Sequence, residues 1–318
     1  MSDRTALVER MCALLAEKYV FPEVAAEVAA VLRDRCATGH YAELGDEELT
    51  VAVTRDLQSV NGDRHLRLLL SVEEVSEGEE ESEADLLREV AADAGGIRRV
   101  ERLPGNVGYL DLIGFLPADL AGGAAAAAMT LLAGTEALIV DLRRSRGGDP
   151  AMVALLTSYL VDEPTHLNDL WRRADGSTIQ FWTVPYVPGP RFGGTKPLWV
   201  LTASATFSAA EEFAYNLQQL GRATVVGERT RGGAHPCDRV RMGPHLVLTL
   251  PVMRALNPVS GTNWEGVGVA PDVEVPAAEA LPVAVVRALD HVLGLPPGGR
   301  RTVLEEARRA RAELPPGR

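Results

Sequence analysis

The sequence predicts an α/β protein in which a helical domain precedes an alternating core. Apolar residues recur at helical spacing through about the first 60 residues, and strand-like and helix-like segments alternate from Asn106 onward. Apolar residues make up 46% of the 318 positions, as in a globular protein with a packed core. The predicted domains are 1–72 (helices and a strand), 73–104 (an acidic connector), 105–295 (the α/β core) and 296–318 (a C-terminal tail).

The first domain is expected to contain three helices and one strand. An apolar stripe at helical spacing runs from Leu7 to Tyr19, and Pro22 suits the first turn of a second helix. A third helix is expected over about 46–60. A turn at 61–63 then leads into a predicted strand at 65–70.

The segment that follows is strongly acidic. Residues 71–96 contain ten aspartates and glutamates but a single base, Arg88. Dense like charge and low hydrophobicity disfavour a packed core over 73–83 in particular. We therefore expect a solvated connector or lid in this part of the chain.

The core is expected to alternate strands with helices. Short buried apolar runs and helical patterns with capping residues give the assignments. The predicted strands cover 107–113, 137–142, 197–201 and 223–227, with a hairpin over 238–254 and a closing strand within 266–275. The predicted helices cover 118–132, 150–161, 209–221 and 278–293. The tail is expected to be a loose end or a peripheral helix.

The composition excludes several classes of protein. A net charge of −12 argues against nucleic-acid binding, which requires a basic face. The three cysteines lack CxxC spacing, so neither a zinc site nor a disulfide framework is expected, and no metal or organic cofactor is indicated. No apolar run reaches about 18 residues and no leader pattern opens the chain, so we expect no membrane span and a cytoplasmic protein. The scarcity of lysine beside arginine is typical of GC-rich bacterial genomes.

The most informative segment follows the predicted strand at 197–201. Ser208 stands at a strand-to-helix turn, where the free N–H groups of a helix N-terminus can stabilise an oxyanion. Acyl-transfer enzymes of several folds place their nucleophile at such a turn. Ser208 and Glu211 also have the spacing of a capping box, which begins many ordinary helices. The nucleophile interpretation therefore needs a base, an acid and an oxyanion hole elsewhere in the chain.

Candidate oxyanion donors lie in two loops that follow predicted strands. Loops at the carboxyl ends of strands form the ligand crevice of α/β sheets. Gly148, or Gly147 beside it, can bring its backbone N–H close to a substrate carbonyl because glycine has no Cβ. The N–H of Ala209 is the second candidate donor.

The residues alone leave the general base open. Lys18 lies in the helical domain, and Lys196 precedes the strand that leads to Ser208, at the end opposite to the hydroxyl. A Ser–Lys pair is therefore not expected, and the base is sought among the six histidines: His40, His65, His166, His235, His245 and His291. Two of them, His65 and His235, lie in polar turns beside glycine, where a histidine is more often structural.

Six short motifs occur in order along almost the whole chain. They are Tyr19-Val-Phe-Pro22, Ser59-Val-Asn-Gly-Asp-Arg-His65-Leu-Arg67, Asp141-Leu-Arg-Arg-Ser-Arg-Gly-Gly148, Thr206-Phe-Ser-Ala-Ala-Glu-Glu-Phe213, Gly221-Arg-Ala-Thr-Val-Val-Gly-Glu228 with Gly232-Gly-Ala-His-Pro236, and Glu265-Gly-Val-Gly-Val-Ala-Pro-Asp272. Together they resemble the S41 family of serine peptidases, in the branch related to the interphotoreceptor retinoid-binding protein. The resemblance implies a crotonase-like or ClpP-like core of repeated ββα units.

The resemblance also implies residue roles. Ser208 matches the nucleophile of the family, and His65 and Glu265 match the histidine and glutamate of its tricorn-like members. His65 would take the proton of Ser208, and Glu265 would orient the imidazole and stabilise the imidazolium. The backbone of Gly148 (or Gly147) and of Ala209 would form the oxyanion hole.

Two positions depart from the pattern of the relatives. Gly233 stands where the C-terminal processing peptidases carry a lysine, which excludes their Ser–Lys dyad. Arg64 replaces the serine that tricorn-like enzymes place beside the histidine, so the relay beyond His65 differs. Arg64 and His235 are therefore accessory candidates, and His235 is also the second candidate base.

The segment between the first domain and the core is too short for a PDZ domain. C-terminal processing peptidases carry that domain there, whereas this chain has only residues 71–105. A dedicated reader of substrate C-termini is thus not expected. From charge alone, the acidic segment is expected to disfavour acidic peptides.

The implied function is a serine peptidase that acts on peptide or protein substrates. Two alternatives stay open, because a fold does not fix a function. One is a non-proteolytic binding protein for an apolar small molecule, as in the retinoid-binding relatives. The other is a crotonase-like enzyme of biosynthesis that uses the same oxyanion hole on a different carbonyl compound. Several family members oligomerise, which makes a homodimer a candidate assembly.

Overall fold

The chain folds into two units, and each of them combines segments that are distant in the sequence. A computed structural model describes residues 3–75, 83–298 and 300–314. The first unit, here called the helical unit, is formed by 1–82, 169–179 and 233–256, and the second, the sheet unit, by 83–168, 180–232 and 257–318. The predicted domains are contiguous stretches, whereas both units combine distant segments.

Nine α-helices occur among the described residues. They are α1 (Asp3–Lys18), α2 (Pro22–Ala37), α3 (Asp46–Leu57), α4 (Glu83–Ala92), α5 (Ala118–Leu132), α6 (Pro150–Ser158), α7 (Ala209–Gln219), α8 (Ala277–Gly294) and α9 (Arg301–Glu313). The three N-terminal helices and the four core helices occur where the sequence predicts them, and α9 is the peripheral helix of the tail. None of these helices combines the length and apolar character that a membrane crossing requires.

The described part of the chain also contains twelve strands. They are β1 (Arg67–Leu70), β2 (Ile97–Leu103), β3 (Val107–Leu112), β4 (Ala137–Asp141), β5 (His166–Arg172), β6 (Thr178–Trp182), β7 (Leu198–Thr202), β8 (Thr224–Gly227), β9 (Cys237–Arg241), β10 (Leu246–Pro251), β11 (Met253–Leu256) and β12 (Val273–Glu274). β9 and β10 form the hairpin predicted over 238–254.

The sheet unit is built on six strands in the order β12-β8-β7-β4-β3-β2. Neighbouring strands run parallel except β2, which pairs antiparallel with β3 at one edge. Every residue of β3, β4 and β7 is buried, as expected for apolar parallel strands covered on both faces. Asp141 lies opposite Leu201, so β4 and β7 end together and their following loops leave the same edge of the sheet. This adjacency brings two of the predicted site segments together.

Two C-terminal helices pack on the sheet. Ala280, Ala284 and Ala288 recur every fourth residue along α8, so their small side chains form one face of the helix. They lie in one apolar cluster with Tyr109, Ile139 and Leu201 of the strands and Leu304 of α9. The predicted mixed α/β core is confirmed by this arrangement.

The helical unit has its own core. The stripe that predicted α1 is buried, with Met11, Leu15 and Tyr19 fully enclosed. These side chains pack with residues of α2, α3 and β10 in one apolar cluster. β10 lies between β1 and β9 in a three-stranded antiparallel sheet. A third sheet has the order β11-β5-β6.

Part of the predicted acidic connector is regular structure. α4 begins at Glu83, and β2 extends the central sheet upstream of the predicted start of the core. The prediction of a solvated connector rests on the acidic residues of this segment. The helix is indicated instead by Leu86, Leu87 and Val90, which recur at helical intervals. Residues 76–82 lie outside the described residues, so the predicted lid is not described there.

Candidate active site

Ser208 occupies a strained turn between β7 and α7. Its backbone has φ 57° and ψ −126°, a left-handed conformation that non-glycine residues avoid. Only two other non-glycine residues in the described ranges have a positive φ, Ala94 and Asn106. Such a conformation costs on the order of 1–3 kcal/mol and persists only where the surrounding structure enforces it. A strained serine between a strand and a helix is the geometry of a nucleophile turn.

Glu211 holds this turn from within the helix. Its Oε2 accepts a hydrogen bond from the Ser208 N–H at 2.9 Å. Its Oε1 accepts from the Gly232 N–H at 2.6 Å and from the Thr230 hydroxyl at 2.5 Å. The side chain is completely buried. The sequence predicted a local cap at Glu211, whereas the structure adds two partners from the loop after β8.

The Gly147–Gly148 loop lies against the Ser208 turn. A Cβ placed on Gly147 would lie 2.7 Å from both the Ala209 nitrogen and the Ser208 Cβ. Gly147 accepts a hydrogen bond from the Phe115 N–H at 2.9 Å, and Gly148 forms a parallel bridge with Phe115. Only glycine fits at this close approach.

Two backbone donors in these loops are uncommitted. Within the part of the chain that the structure describes, neither the Gly148 N–H nor the Ala209 N–H donates a hydrogen bond. Both belong to the sheet unit, and the contact through Gly147 places their loops side by side. An oxyanion hole requires two such N–H groups directed at one oxygen.

Glu265 belongs to the same unit as Ser208 and lies in the loop between β11 and β12. Its own N–H donates to the Asn263 side chain at 2.9 Å, and the side chain is half-buried. The next residue, Gly266, donates from its N–H to the Gly232 oxygen at 3.2 Å. Because Gly232 is also bound by Glu211, hydrogen bonds connect the Glu265 loop to the nucleophile turn.

His65 and His235 lie in the helical unit around Asp63. The Asp63 Oδ2 is 2.9 Å from the His235 Nδ1 and accepts from the Tyr19 hydroxyl at 3.0 Å. The His65 N–H donates to the Asp63 Oδ1 at 3.0 Å. Burial would raise the pKa of Asp63, but the hydrogen bond and charge of His235 and the backbone hydrogen bond of His65 bring it below its usual range. The sequence did not predict Asp63, which organises both candidate bases.

The lysine, the arginine and the other histidines that the sequence offered as candidates each have their own surroundings. Lys196, at the amino end of β7, donates to the Ala133 and Thr135 oxygens at 2.6 and 2.9 Å. This position agrees with the expectation that it lies away from Ser208. The Arg64 side chain is exposed. The other histidines lie near Arg55 (His40), on Trp182 (His166), in the β9–β10 hairpin (His245) and in α8 (His291).

Glu212 is a second buried carboxyl group on α7, one turn after Ser208. Burial raises the pKa of Glu212 to about 8, while hydrogen bonding by Asn168 opposes the rise and the charge of Asp149 adds to it. Only 5% of its surface is exposed. Glu212 is therefore neutral in the folded protein at pH values where an ordinary glutamate is ionised.

Replacing Glu212 with glutamine is expected to flatten the pH dependence of stability. The folded-state pKa of about 8 lies above the ordinary value of 4.5, so protonation stabilises the folded state. This contribution is complete below pH 4.5 and is lost as the pH rises through 8. A pKa difference of one between the folded and unfolded states corresponds to about 1.4 kcal/mol, so the wild type should lose several kcal/mol between these limits. Glutamine is always neutral and should escape that loss.

Urea unfolding at a series of pH values measures this effect. Glu279→Gln is the matched control, because Glu279 is an exposed carboxyl group on α8 of the same unit. The control should keep the wild-type slope. Equal slopes in wild type and Glu212→Gln would contradict the raised pKa.

Two family models match this chain. Residues 106–275, more than half of the chain, match the model described as peptidase family S41. Residues 2–94 match the N-terminal domain of peptidase S41 in eukaryotic IRBP. The two matches together include the Ser208 turn, the Gly147–Gly148 loop, Glu265 and His65.

Solved structures share the fold. A photosystem II D1 C-terminal processing protease gives a TM-score of 0.52 at 17% identity, covering 87% of this chain and 94% of that chain. A lipoprotein from Streptococcus agalactiae gives 0.57 at 14% identity, with 86% and 92% covered. The tricorn protease gives 0.57 at 14% identity, covering 97% of this chain and 37% of the longer tricorn chain. These similarities show a common fold.

Proposed function

Because this chain belongs to peptidase family S41, we propose that it hydrolyses peptide bonds with Ser208 as the nucleophile. The observation that carries the proposal is the left-handed backbone of Ser208 between β7 and α7. A serine that only caps a helix adopts an ordinary extended backbone. The strain at Ser208 is therefore unexplained by capping and is typical of a nucleophile turn.

In the proposed reaction His65 accepts the proton of Ser208 as the hydroxyl attacks the substrate carbonyl. Glu265 orients the imidazole and stabilises its charged form, and the N–H groups of Gly148 and Ala209 hold the oxyanion. His65 then gives this proton to the leaving amine as the peptide C–N bond breaks, which leaves the acyl group on Ser208. Water attacks the acyl group while His65 takes a proton from it, and that proton returns to the Ser208 oxygen as the acid product leaves. The buried backbone of His65, fixed by Asp63, and the hydrogen bonds that join the Glu265 loop to Ser208 support these roles.

His235 is the alternative base. Its Nδ1 lies 2.9 Å from Asp63, and a carboxyl group at that nitrogen is the arrangement that orients a catalytic imidazole. Under this alternative, Asp63 orients the imidazole and stabilises its charged form, which is the role proposed above for Glu265. The cytoplasmic location, the homodimer, the crotonase-like core and the domain boundaries also stay predictions.

The test is to incubate the purified protein with a diverse peptide pool and identify products by mass spectrometry. A fluorophosphonate probe is added separately, and the labelled residue is mapped. Cleavage and a label on Ser208 are expected in the wild type, and both should be lost in Ser208→Ala. Loss of labelling in His65→Gln but not in His235→Gln would assign the base. No cleavage and no label would overturn the proposal and favour an apolar-ligand carrier or a different carbonyl chemistry.

A further inference from the structure

Two neighbouring arginines of β2 line the same groove of the sheet unit. In a regular strand, consecutive side chains point to opposite faces of the sheet. β2 is not regular here, because its register with β3 shifts between Ile97 and Arg99. A bulge of this kind re-aims side chains, and both Arg98 and Arg99 line the groove. The irregularity therefore concentrates positive charge at one place.

The opposite wall of the groove adds two more arginines. Arg143 and Arg144 follow the end of β4, and the groove encloses about 610 Å³. Its charged lining residues are four arginines and one aspartate, Asp111, in a chain whose net charge is −12. The rest of the lining is Tyr109 with small and apolar residues, namely Ala203, Ala277, Ala278 and Leu281. Such a basic groove is suited to an anionic ligand.

Two of the arginines are bound to buried aspartates. Arg143 donates to both oxygens of Asp141, at 2.9 and 2.6 Å, and to the Ala277 oxygen at 2.7 Å. Arg144 donates to Asp111 through one Nη only, and 49% of its side chain is exposed. Arg143 is thus fully engaged, whereas the rest of the Arg144 guanidinium faces the groove.

The two arginines of the bulge are more available. Arg98 is exposed, and its side chain donates no hydrogen bond to any residue in the described ranges. Arg99 pairs with Glu101 and lies over the Tyr109 ring, but 56% of its side chain is exposed. A guanidinium presents paired N–H groups that match a carboxylate in a bidentate manner. Arg98, Arg99 and Arg144 therefore offer uncommitted donors for a carboxylate.

The groove shares its loops with the candidate nucleophile. Arg144 precedes Gly147 in one loop, and Ala203 precedes Ser208 in the other. The two loops are joined by hydrogen bonds from the Thr206 hydroxyl to the Leu142 oxygen at 2.9 Å and from the Phe207 N–H to the Ser145 oxygen at 3.3 Å. The groove and the candidate nucleophile turn are therefore carried by the same two loops.

We propose that this groove binds a carboxylate of the peptide substrate, either an aspartate or glutamate side chain or the C-terminal carboxylate. The proposal rests on the proposed peptidase function and names its substrate class. It predicts a preference for acidic peptides, opposite to the preference expected from the acidic segment 71–96. A series of peptides decides between the two expectations.

The experiment uses the full-length protein with one peptide of the pool, a cleaved one where cleavage occurs, and three relatives of that peptide. One carries aspartate at a position away from the cleaved bond, one carries asparagine there, and one has an amidated C-terminus. If the groove binds an acidic side chain, the aspartate peptide should have a lower KM than the asparagine peptide. If it binds the C-terminal carboxylate, the amidated peptide should have a higher KM than its parent. Raising the salt concentration should reduce the preference.

Arg98→Glu is the variant, because the Arg98 side chain makes no hydrogen bond within the described ranges that the substitution would remove. We expect KM for the preferred peptide to rise about tenfold, with kcat and the KM of the neutral peptide little changed. Arg287→Glu is the matched control, because Arg287 is an exposed arginine on α8 that does not line the groove. The control should retain the wild-type KM, and unfolding by urea should confirm that both variants are folded.

Direct binding separates this proposal from the proposed function. Fluorescence anisotropy of the labelled peptides on wild-type protein and on Ser208→Ala requires no turnover. If the protein binds the peptides with the carboxylate more tightly but cleaves none of the peptides, the groove proposal stands and the proposed peptidase function is wrong. Equal affinity for the parent peptide and its three relatives, or equal effects of Arg98→Glu and Arg287→Glu, would overturn the groove proposal whether or not the peptides are cleaved.

Discussion

Ser208→Ala is expected to lower peptide hydrolysis by about 10⁴- to 10⁶-fold, because the nucleophile and its proton transfer are removed together. The alanine variant keeps a Cβ and should retain the fold. The measurement is kcat/KM on a cleaved peptide, with fluorophosphonate labelling as the second readout. A variant that retained more than a few per cent of the activity would show that another residue is the nucleophile.

The strain at Ser208 gives the same position a second expected result. Glycine adopts φ 57° and ψ −126° without a steric penalty, whereas alanine does not. Ser208→Gly should therefore be more stable than Ser208→Ala by about 1–3 kcal/mol, although both are inactive. Urea unfolding measures the difference. Ser204→Gly is the control, since Ser204 is an exposed residue of the same loop without a positive φ, and it should not gain stability.

Much of the position of the candidate site could be predicted from local sequence. Two apolar runs ending in Gly147-Gly148 and in the Ser208 turn indicated two strands with functional loops at their carboxyl ends. β4 and β7 are indeed adjacent and parallel, so both loops leave one edge of the sheet. The rule for ligand crevices in α/β sheets was sufficient for that inference. That rule requires only that the two strands are neighbours and run in the same direction.

The side-chain network around the turn could not be predicted in this way. Glu211 is joined to partners 19 and 21 residues away, and Asp63 to partners 44 and 172 residues away. Such contacts depend on how loops from separate elements pack. Neither the hydrophobic period of a segment nor the spacing of its motif residues determines that packing. The bulge at Arg98 is similar, because a single extra residue in β2 changes which face a side chain lines.

Removing the acceptor at Glu211 is expected to reduce kcat by about 10²-fold with little change in KM, because the Ser208 turn loses its fixed geometry. In Glu211→Gln only one of the two acceptor positions remains an oxygen. The amide nitrogen then faces a backbone donor in place of an acceptor, and this donor is either the Ser208 N–H or the Gly232 N–H. Leaving such a buried donor unpaired is also expected to lower the free energy of unfolding by about 1–3 kcal/mol.

The neighbouring residue provides the control. Glu212 is buried on the same turn of α7, and its pKa of about 8 leaves it uncharged near neutral pH. Glu212→Gln should therefore retain kcat near pH 7, whereas Glu211→Gln should not. The rate of fluorophosphonate labelling of Ser208 is the readout that general destabilisation would not change, provided that both variants are folded at the assay temperature.

The comparison decides what Glu211 does. A slow labelling rate in Glu211→Gln with normal labelling in Glu212→Gln would mean that Glu211 positions the nucleophile through the Ser208 N–H. If both variants labelled at the wild-type rate, the three hydrogen bonds of Glu211 would serve stability alone. The positive φ of Ser208 would then have to be maintained by backbone contacts such as that of the Gly147 loop, which approaches the turn closely.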